Sequence, residues 1–497
     1  MNLRHGVIRG AFSLGSARVI VSLMNALGIL ILARLLVPED FGIVAIATAI
    51  TTVVISMTEA SLQSALVRGP EPTRQHIDTV WTMSLIRAVI IYGVVAAAAW
   101  PVAIAYGDDR LFEVMLVAGL SGAFMDFGNP RIFLATREMR FAPLMMFQIL
   151  QKAAGLLLAL GLALSIGSYW AIIIGNAAGA ILASLLSYVL VPYLPRFSLQ
   201  KVREIWGFSG WLFLTQLCET INWRFDQLAI GTVVSKAQLG FYSVADNLAV
   251  IPSRELSMPL RNALFPGLSR LGDQRERIRS AFLEAQTGVA MVTAPAAIGL
   301  GVLAAPAVIV LLGESWRPTI PLVQLLCLTY ALDTFITVVR PLGMAMDQTR
   351  YLFLRQLVAL AFRIPLILLG FALGGLVGAA AGRAASSVAN CLISFMVAKK
   401  LLDIPVTRQL KEHLPTIVSL SAMAAVVAAV QSITAPWLDP QPLLALALFV
   451  PLGAAIYVAT MLAIWLSMGR PQGALSEAFR VAAGIPGGRF LNRLVRA

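Results

Sequence analysis

The sequence predicts an all-α integral membrane protein of about 14 transmembrane helices, organised as two six-helix lobes around a central cavity plus two C-terminal helices. Three observations predict it. Hydrophobic residues make up 59% of the chain and charged residues only 13%, about half the charged share of an ordinary soluble domain. Apolar stretches long enough to cross a bilayer recur from near residue 10 to near residue 468. Connections rich in Lys and Arg alternate with connections nearly free of them, as a multi-pass topology requires.

Read between Pro, Gly and charged clusters, the expected spans are 11–36, 40–64, 78–105, 111–135, 141–165, 168–193, 205–233, 238–265, 281–312, 319–345, 351–373, 376–400, 413–435 and 442–468. Unpaired backbone amides are not tolerated in lipid, and these runs are far longer than barrel strands, so helices are the spanning form. The N-terminal arm with Arg4 and Arg9 resembles a signal peptide, but the apolar run continues to Leu36 with no small-residue cleavage site. It is expected to stay as the first span.

Every second connection is basic. In order these carry Arg68 and Arg74; Arg137 and Arg140; Arg196, Lys201 and Arg203; Arg270, Arg275, Arg277 and Arg279; Arg350; and Lys399, Lys400, Arg408 and Lys411, followed by the Arg-rich C-terminal tail. Opposite connections such as Pro38–Asp40, Ile166–Ser168 and Asp439–Pro440 are short and acidic or neutral. The positive-inside bias therefore puts both termini in the cytoplasm and calls for an even number of spans, fourteen, with twelve as the alternative. The formal net charge of +13 is read as topology and not as nucleic-acid binding.

The junction of the first two spans recurs. Leu32 to Ala47 overlies Ile230 to Ala245 at a shift of 198 positions, placing Gly42 on Gly240. An even number of spans separates the copies, so they share one orientation and imply two lobes about an axis along the membrane normal. The expected domains are 1–196 and 197–402, the two six-helix lobes; 403–468, two additional transmembrane helices; and 469–497, a basic cytoplasmic tail.

Cys218, Cys327 and Cys391 lie far apart in apolar segments and are read as packing residues. His5, His76 and His413 are read as loop or arm residues, which argues against a histidine metal centre or buried base. No catalytic residue, metal site or cofactor is expected. Gly374, Gly378 and Gly382 form a small-residue stripe for close helix packing, without the strand and lysine of a phosphate loop.

Charge inside the spans carries the functional reading, because each such residue costs at least about 2.5–3.5 kcal/mol at mid-bilayer. Arg340, Glu59 and Arg254 lie near span ends and can reach the headgroups. Arg18, Arg87, Lys152, Arg224 and Arg363 cannot be dismissed so simply. Arginine stays charged and presents a planar fork suited to phosphate or carboxylate, so these five are the expected lining of a cationic, anion-binding cavity, unless each pairs with a carboxylate neighbour. Asp126, Glu219, Asp226, Asp246 and Asp333 are the candidates for proton or sodium coupling. Trp211, Trp223, Phe225, Phe241 and Tyr242 are read as interface anchors, with stacking on sugar rings or acyl chains as the alternative.

Three segments carry a family resemblance: Leu32-Ala33-Arg34-Leu35-Leu36-Val37-Pro38-Glu39-Asp40-Phe41-Gly42; Phe225 to Gly231 with Leu239-Gly240-Phe241-Tyr242-Ser243; and Pro259 to Arg270. They resemble the polysaccharide transporter (Wzx-like) branch of the multidrug/oligosaccharidyl-lipid/polysaccharide exporter superfamily. The resemblance covers the first eight spans. It implies two six-helix lobes around a V-shaped cavity and alternating access coupled to an ion. The implied activity is flipping of undecaprenyl-diphosphate-linked oligosaccharide across a bacterial inner membrane for O-antigen, capsule or exopolysaccharide export. The implied partners are that lipid-linked substrate, membrane lipids, a proton or sodium ion and polysaccharide assembly proteins, with no nucleic acid. A multidrug or small-metabolite exporter is the alternative; its cationic cargo would favour acidic cavity residues. A polytopic polymerase or transferase is less favoured, because the chain lacks a large loop and a His/Asp cluster.

Overall fold

The computed structural model describes residues 20–58, 72–134, 142–206, 210–272 and 274–469, and these are helical throughout apart from turns and connections. The helices are α1 (Ile20–Leu35), α2 (Pro38–Thr58), α3 (Arg74–Tyr106), α4 (Arg110–Phe124), α5 (Ala142–Ile166), α6 (Trp170–Leu190), α7 (Val202–Trp206), α8 (Gly210–Gly231) and α9 (Lys236–Ser269). They continue as α10 (Arg275–Val302), α11 (Ala304–Leu311), α12 (Ile320–Thr334), α13 (Val339–Ala345), α14 (Thr349–Leu402), α15 (Val406–Leu438) and α16 (Pro442–Ser467). Among the described residues nine helical segments are long and apolar enough to cross a membrane. Leucine, isoleucine and valine side chains stand exposed along α3, α5, α6, α14, α15 and α16, as lipid-facing surfaces require. The protein is a multi-pass, all-helical membrane protein.

Every expected span has a helical counterpart, and the departures have local causes. The span expected over 111–135 stops at Phe124, because Gly128-Asn129-Pro130 breaks it into two short 3₁₀ turns, Met125–Phe127 and Pro130–Phe133. Asn129 secures the break: its backbone N–H donates to Ser187 Oγ at 2.7 Å and its Nδ2 to the Val191 carbonyl at 2.6 Å. The span expected over 319–345 divides into α12 and α13, with Pro341 in the first turn of α13, where a missing N–H costs little. α14 contains the expected break between 373 and 376. Gly375 takes φ 57° and the chain doubles back. A Cβ on Gly378 would lie 2.0 Å from the Gly370 carbonyl oxygen, and one on Gly382 2.1 Å from that of Leu366. Gly378 and Gly382 therefore seat the hairpin, whereas Gly374 is its turn.

His413 is the clear departure from the sequence reading. It is buried on α15, edge-on to Phe335 and stacked on Phe395, with ring centroids 5.0 and 5.9 Å away. Arg408, Lys411 and Glu412 made the segment look like a loop, but they occupy the exposed side of the same helical turns. His76 lies in the first turn of α3, where Nδ1 meets Thr73 Oγ1 at 2.8 Å and Nε2 meets Glu204 Oε2 at 2.9 Å. The Glu204 carboxyl is held below its ordinary range, chiefly by its hydrogen bond from Lys201. All three cysteines are free thiols, with Cys327 and Cys391 buried.

The chain forms two compact units, residues 1–244 and 245–497. In the first, α2, α3, α4 and α6 enclose a core that includes Ile43, Ile46, Ile91, Val95, Leu111, Met115 and Ile173. The repeated junction is a contact in this unit. A Cβ on Gly42 would sit 1.9 Å from the Lys236 carbonyl oxygen, and one on Gly240 1.7 Å from that of Pro38. Because Pro38 and Lys236 are themselves equivalent in the repeat, the two copies meet reciprocally, as about a local two-fold axis. Only glycine allows two backbones to approach so closely. Nearby, Lys236 Nζ donates to the Tyr106 carbonyl at 2.8 Å, and Asp40 accepts from the backbone N–H groups of Val37 and Tyr169. The connection after α6 is laid along α3: Asp78 Oδ1 accepts from Tyr193 OH at 2.7 Å and from the Arg196 N–H at 3.0 Å. Burial, then Asp78, pushes the Tyr193 hydroxyl up to about 12.

In the second unit, α10, α15 and α16 pack around Met291, Phe395, Met423, Phe449, Tyr457 and Trp465. The Tyr457 hydroxyl donates to the Met291 carbonyl at 2.9 Å, tying the last helix to α10.

Candidate functional site

The charged residues singled out from the sequence occupy three settings. The first is a cavity of about 570 Å³ within the N-terminal unit, walled by α1, α2, α4, α5 and α6. Gln148, Gln151, Lys152 and Gly155 recur at helical spacing on one side of α5 and line it. Close packing of α5 on α6 fixes that side: a Cβ on Gly175 would lie 2.7 Å from the Gly155 carbonyl oxygen, and one on Gly155 2.9 Å from that of Gly175. Among the described residues Lys152 is the one charged residue lining the cavity, and no carboxylate lines it. Its polar remainder is neutral: Asn25, Ser121, Asn176, the threonines of α2 and the two glutamines.

The second setting is local pairing in the same unit. Arg87 Nη1 lies 3.3 Å from Asp126 Oδ1, with both side chains largely buried, and Arg87 Nη2 reaches the Ile55 carbonyl at 3.4 Å. On α8, Arg224 Nη1 donates to Gln227 Oε1 at 3.0 Å, and its guanidinium lies 5.1 Å from the Trp223 ring centroid. Asp226 is fully buried and accepts from the Tyr242 hydroxyl at 2.5 Å. Tyr242 is thus a core residue, unlike the interface anchor expected of it, whereas Trp223 is exposed. Glu219 is half-buried on α8. Arg18 and Glu59 lie outside the described residues, as does the tail from residue 470.

The third setting is a buried network in the C-terminal unit. Asp246 Oδ1 accepts from the Tyr330 hydroxyl at 2.6 Å and from Arg383 Nη1 at 2.8 Å, and Arg383 Nη2 donates to the same hydroxyl at 2.8 Å. Arg383 is 1% exposed. Asp333 takes a hydrogen bond from Ser387 and lies in the fields of Arg363, Arg383 and Arg355. Arg355 is buried and donates to Ser394 Oγ at 3.1 Å. Asp246 and Asp333 are the members of this network that the sequence singles out as intramembrane carboxylates. Tyr330 and Arg355 are not picked out by it, since a tyrosine in an apolar run and an arginine near a basic connection carry no distinctive signal.

The structure therefore defines a polytopic helical membrane protein with a polar cavity in one unit and a buried ionic network in the other. Residues 31–321 match the family described as polysaccharide biosynthesis protein, and the chain belongs to that family. It is 25% identical over 396 residues to an uncharacterized membrane protein in the cps region of Klebsiella pneumoniae, covering 77% of this chain and 80% of that one. It is 22% identical over 405 residues to the lipopolysaccharide biosynthesis protein WzxC of Escherichia coli (strain K12), covering 80% and 82%. The succinoglycan biosynthesis transport protein ExoT of Rhizobium meliloti (strain 1021) is 27% identical over 319 residues, 63% of this chain and 65% of that one. The fold is similar to that of the lipid II flippase MurJ in an inward closed conformation, with TM-score 0.72 and 14% identity over 93% of this chain and 100% of that one. An inward-facing multidrug resistance MATE family transporter of the MOP superfamily gives TM-score 0.62 at 15% identity, over 79% and 96%.

Proposed function

We propose that the protein is a flippase for lipid-linked oligosaccharide. It moves undecaprenyl-diphosphate-linked repeat units from the cytoplasmic to the outer leaflet of a bacterial inner membrane, for O-antigen, capsule or exopolysaccharide assembly. The observation that carries this is membership of the polysaccharide biosynthesis family across residues 31–321. Relatives named for lipopolysaccharide biosynthesis and for succinoglycan transport support it, as does a fold shared with a lipid II flippase.

In this reading the chain crosses the membrane fourteen times, with α14 counted as two crossings and the pairs α10–α11 and α12–α13 as one each. Both termini are cytoplasmic. Residues 1–196 and 197–402 act as two lobes that expose a cavity alternately to each side, and residues 403–468 are accessory. Lys152, Arg224 and Arg363 are the cationic residues read as meeting the anionic substrate, and a bound anion offsets the desolvation of Lys152. Coupling to a proton or sodium ion runs through the intramembrane carboxylates, Glu219 and Asp333 among them. Arg87–Asp126 and Arg383–Asp246 serve as framework.

The test is complementation of a flippase-deficient bacterium, scoring lipid-linked sugar and surface polysaccharide together. Restored polymer with falling lipid-linked intermediate is the expected result. Correct membrane insertion without rescue across several matched sugar pathways would overturn the reading and favour a small-molecule exporter.

A further inference from the structure

A lysine inside an apolar bundle is usually neutralised by a carboxylate. Lys152 is not: among the described residues its ammonium has no hydrogen bond or ion pair, and no carboxylate lines its cavity. The carboxylate next in sequence to a lining residue, Asp126 beside Met125, is engaged by Arg87. Asp40, on the wall helix α2, is engaged by two backbone N–H groups. Among the described residues the cavity thus holds one positive charge that no lining group balances.

The surroundings of that charge are specific. Asn25, Thr51, Ser121, Gln148, Gln151 and Asn176 give the cavity amide donors and acceptors and hydroxyls. Thr51 is 6% exposed, and its Oγ1 is buried without a hydrogen-bond partner. A buried hydroxyl in that state calls for a partner from outside the fold. The volume, about 570 Å³, lies within the range of small-molecule pockets.

We propose that this cavity is a subsite for a sugar ring bearing one carboxylate, with Lys152 taking the carboxylate and the amide and hydroxyl side chains taking the ring hydroxyls. The inference rests on the reading of the protein as an oligosaccharide flippase and names the cargo it selects. Charge count separates a uronic acid from the lipid diphosphate. A single ammonium balances a monoanion and presents three rotatable donors, whereas a diphosphate carries at least two charges and favours arginine forks. Side chains that both donate and accept match a polyhydroxylated ring, whereas an ionised diphosphate would offer the amide oxygens no donor.

The test is titration calorimetry on the full-length protein in lipid nanodiscs, with sodium glucuronate, glucose and inorganic pyrophosphate as probes. Glucuronate should bind about tenfold more tightly than glucose, Lys152→Met should lose about tenfold in glucuronate affinity, and Lys152→Arg should retain most of it. Thr51→Val should weaken binding a few-fold, as loss of one neutral hydrogen bond does, and it stands in if Lys152→Met does not fold. Equal binding of glucose and glucuronate, or no glucuronate binding, overturns the proposal. Pyrophosphate displacing glucuronate with equal or greater affinity at a Lys152-dependent site also overturns it, and makes the cavity a diphosphate subsite. A cellular arm separates this from the flippase reading. Wild type failing to rescue any pathway sinks that reading. Wild type rescuing while Lys152→Met exports uronate-containing and neutral repeat units equally well sinks only the subsite.

Discussion

The two units of this chain handle buried charge in opposite ways. In the C-terminal unit Arg383 is enclosed, and both of its terminal nitrogens are used, one on Asp246 and one on Tyr330. In the N-terminal unit Lys152 stands in a cavity whose other polar lining, among the described residues, is neutral. Both residues are cations in apolar helices. What separates them is whether the fold supplies the counter-charge. A supplied counter-charge makes the cation part of the framework, and a missing one leaves it to be balanced by a ligand. Removing a partner should therefore be costly in the network and harmless to folding in the cavity.

The largest effect is expected from Asp246→Ala. It leaves Arg383 buried without its carboxylate, a loss of about 3–5 kcal/mol, read as a lower unfolding temperature and a collapsed monodisperse peak on size exclusion. Replacing both partners by apolar residues, Asp246→Leu with Arg383→Met, should recover much of that loss, because no unpaired charge remains. A double variant as damaged as the single one would mean the network does more than hold helices together. Arg87→Ala should cost less, about 1–3 kcal/mol, since the Arg87–Asp126 pair keeps some exposure on both sides. Tyr330→Phe removes one hydroxyl shared by Asp246 and Arg383 and should cost about 1 kcal/mol.

These predictions also mark what the sequence could and could not say. Helix positions were readable because a bilayer forces long apolar runs, and even the α14 hairpin showed itself through Gly374-Gly375. The Gly42/Gly240 junction was readable as a repeat, and its reciprocal backbone contact gives the physical reason both positions are glycine. Pairing was not readable. Arg87 finds Asp126 across 39 positions, and Arg383 finds Asp246 across 137, so no local pattern reveals either partner. Lys152 carried the same blindness in reverse, since the absence of a counter-charge is a property of neighbours drawn from four other helices. His413 shows the remaining limit: exposed charges on one side of two helical turns disguised a buried residue on the other.

The smallest expected effect on folding is the sharpest probe of the comparison. Lys152→Met keeps the length and most of the volume of the side chain while deleting an ammonium that no group among the described residues balances. Desolvation of that ammonium opposes folding with no ion pair to offset it, so the unfolding temperature of the variant should be unchanged or higher, even as it loses its anion. The contrast with Asp246→Ala, measured in the same nanodiscs, tests the division between framework and ligand charge. If Lys152→Met proves as destabilising as Asp246→Ala, then Lys152 has a structural partner after all, and the two units treat charge alike.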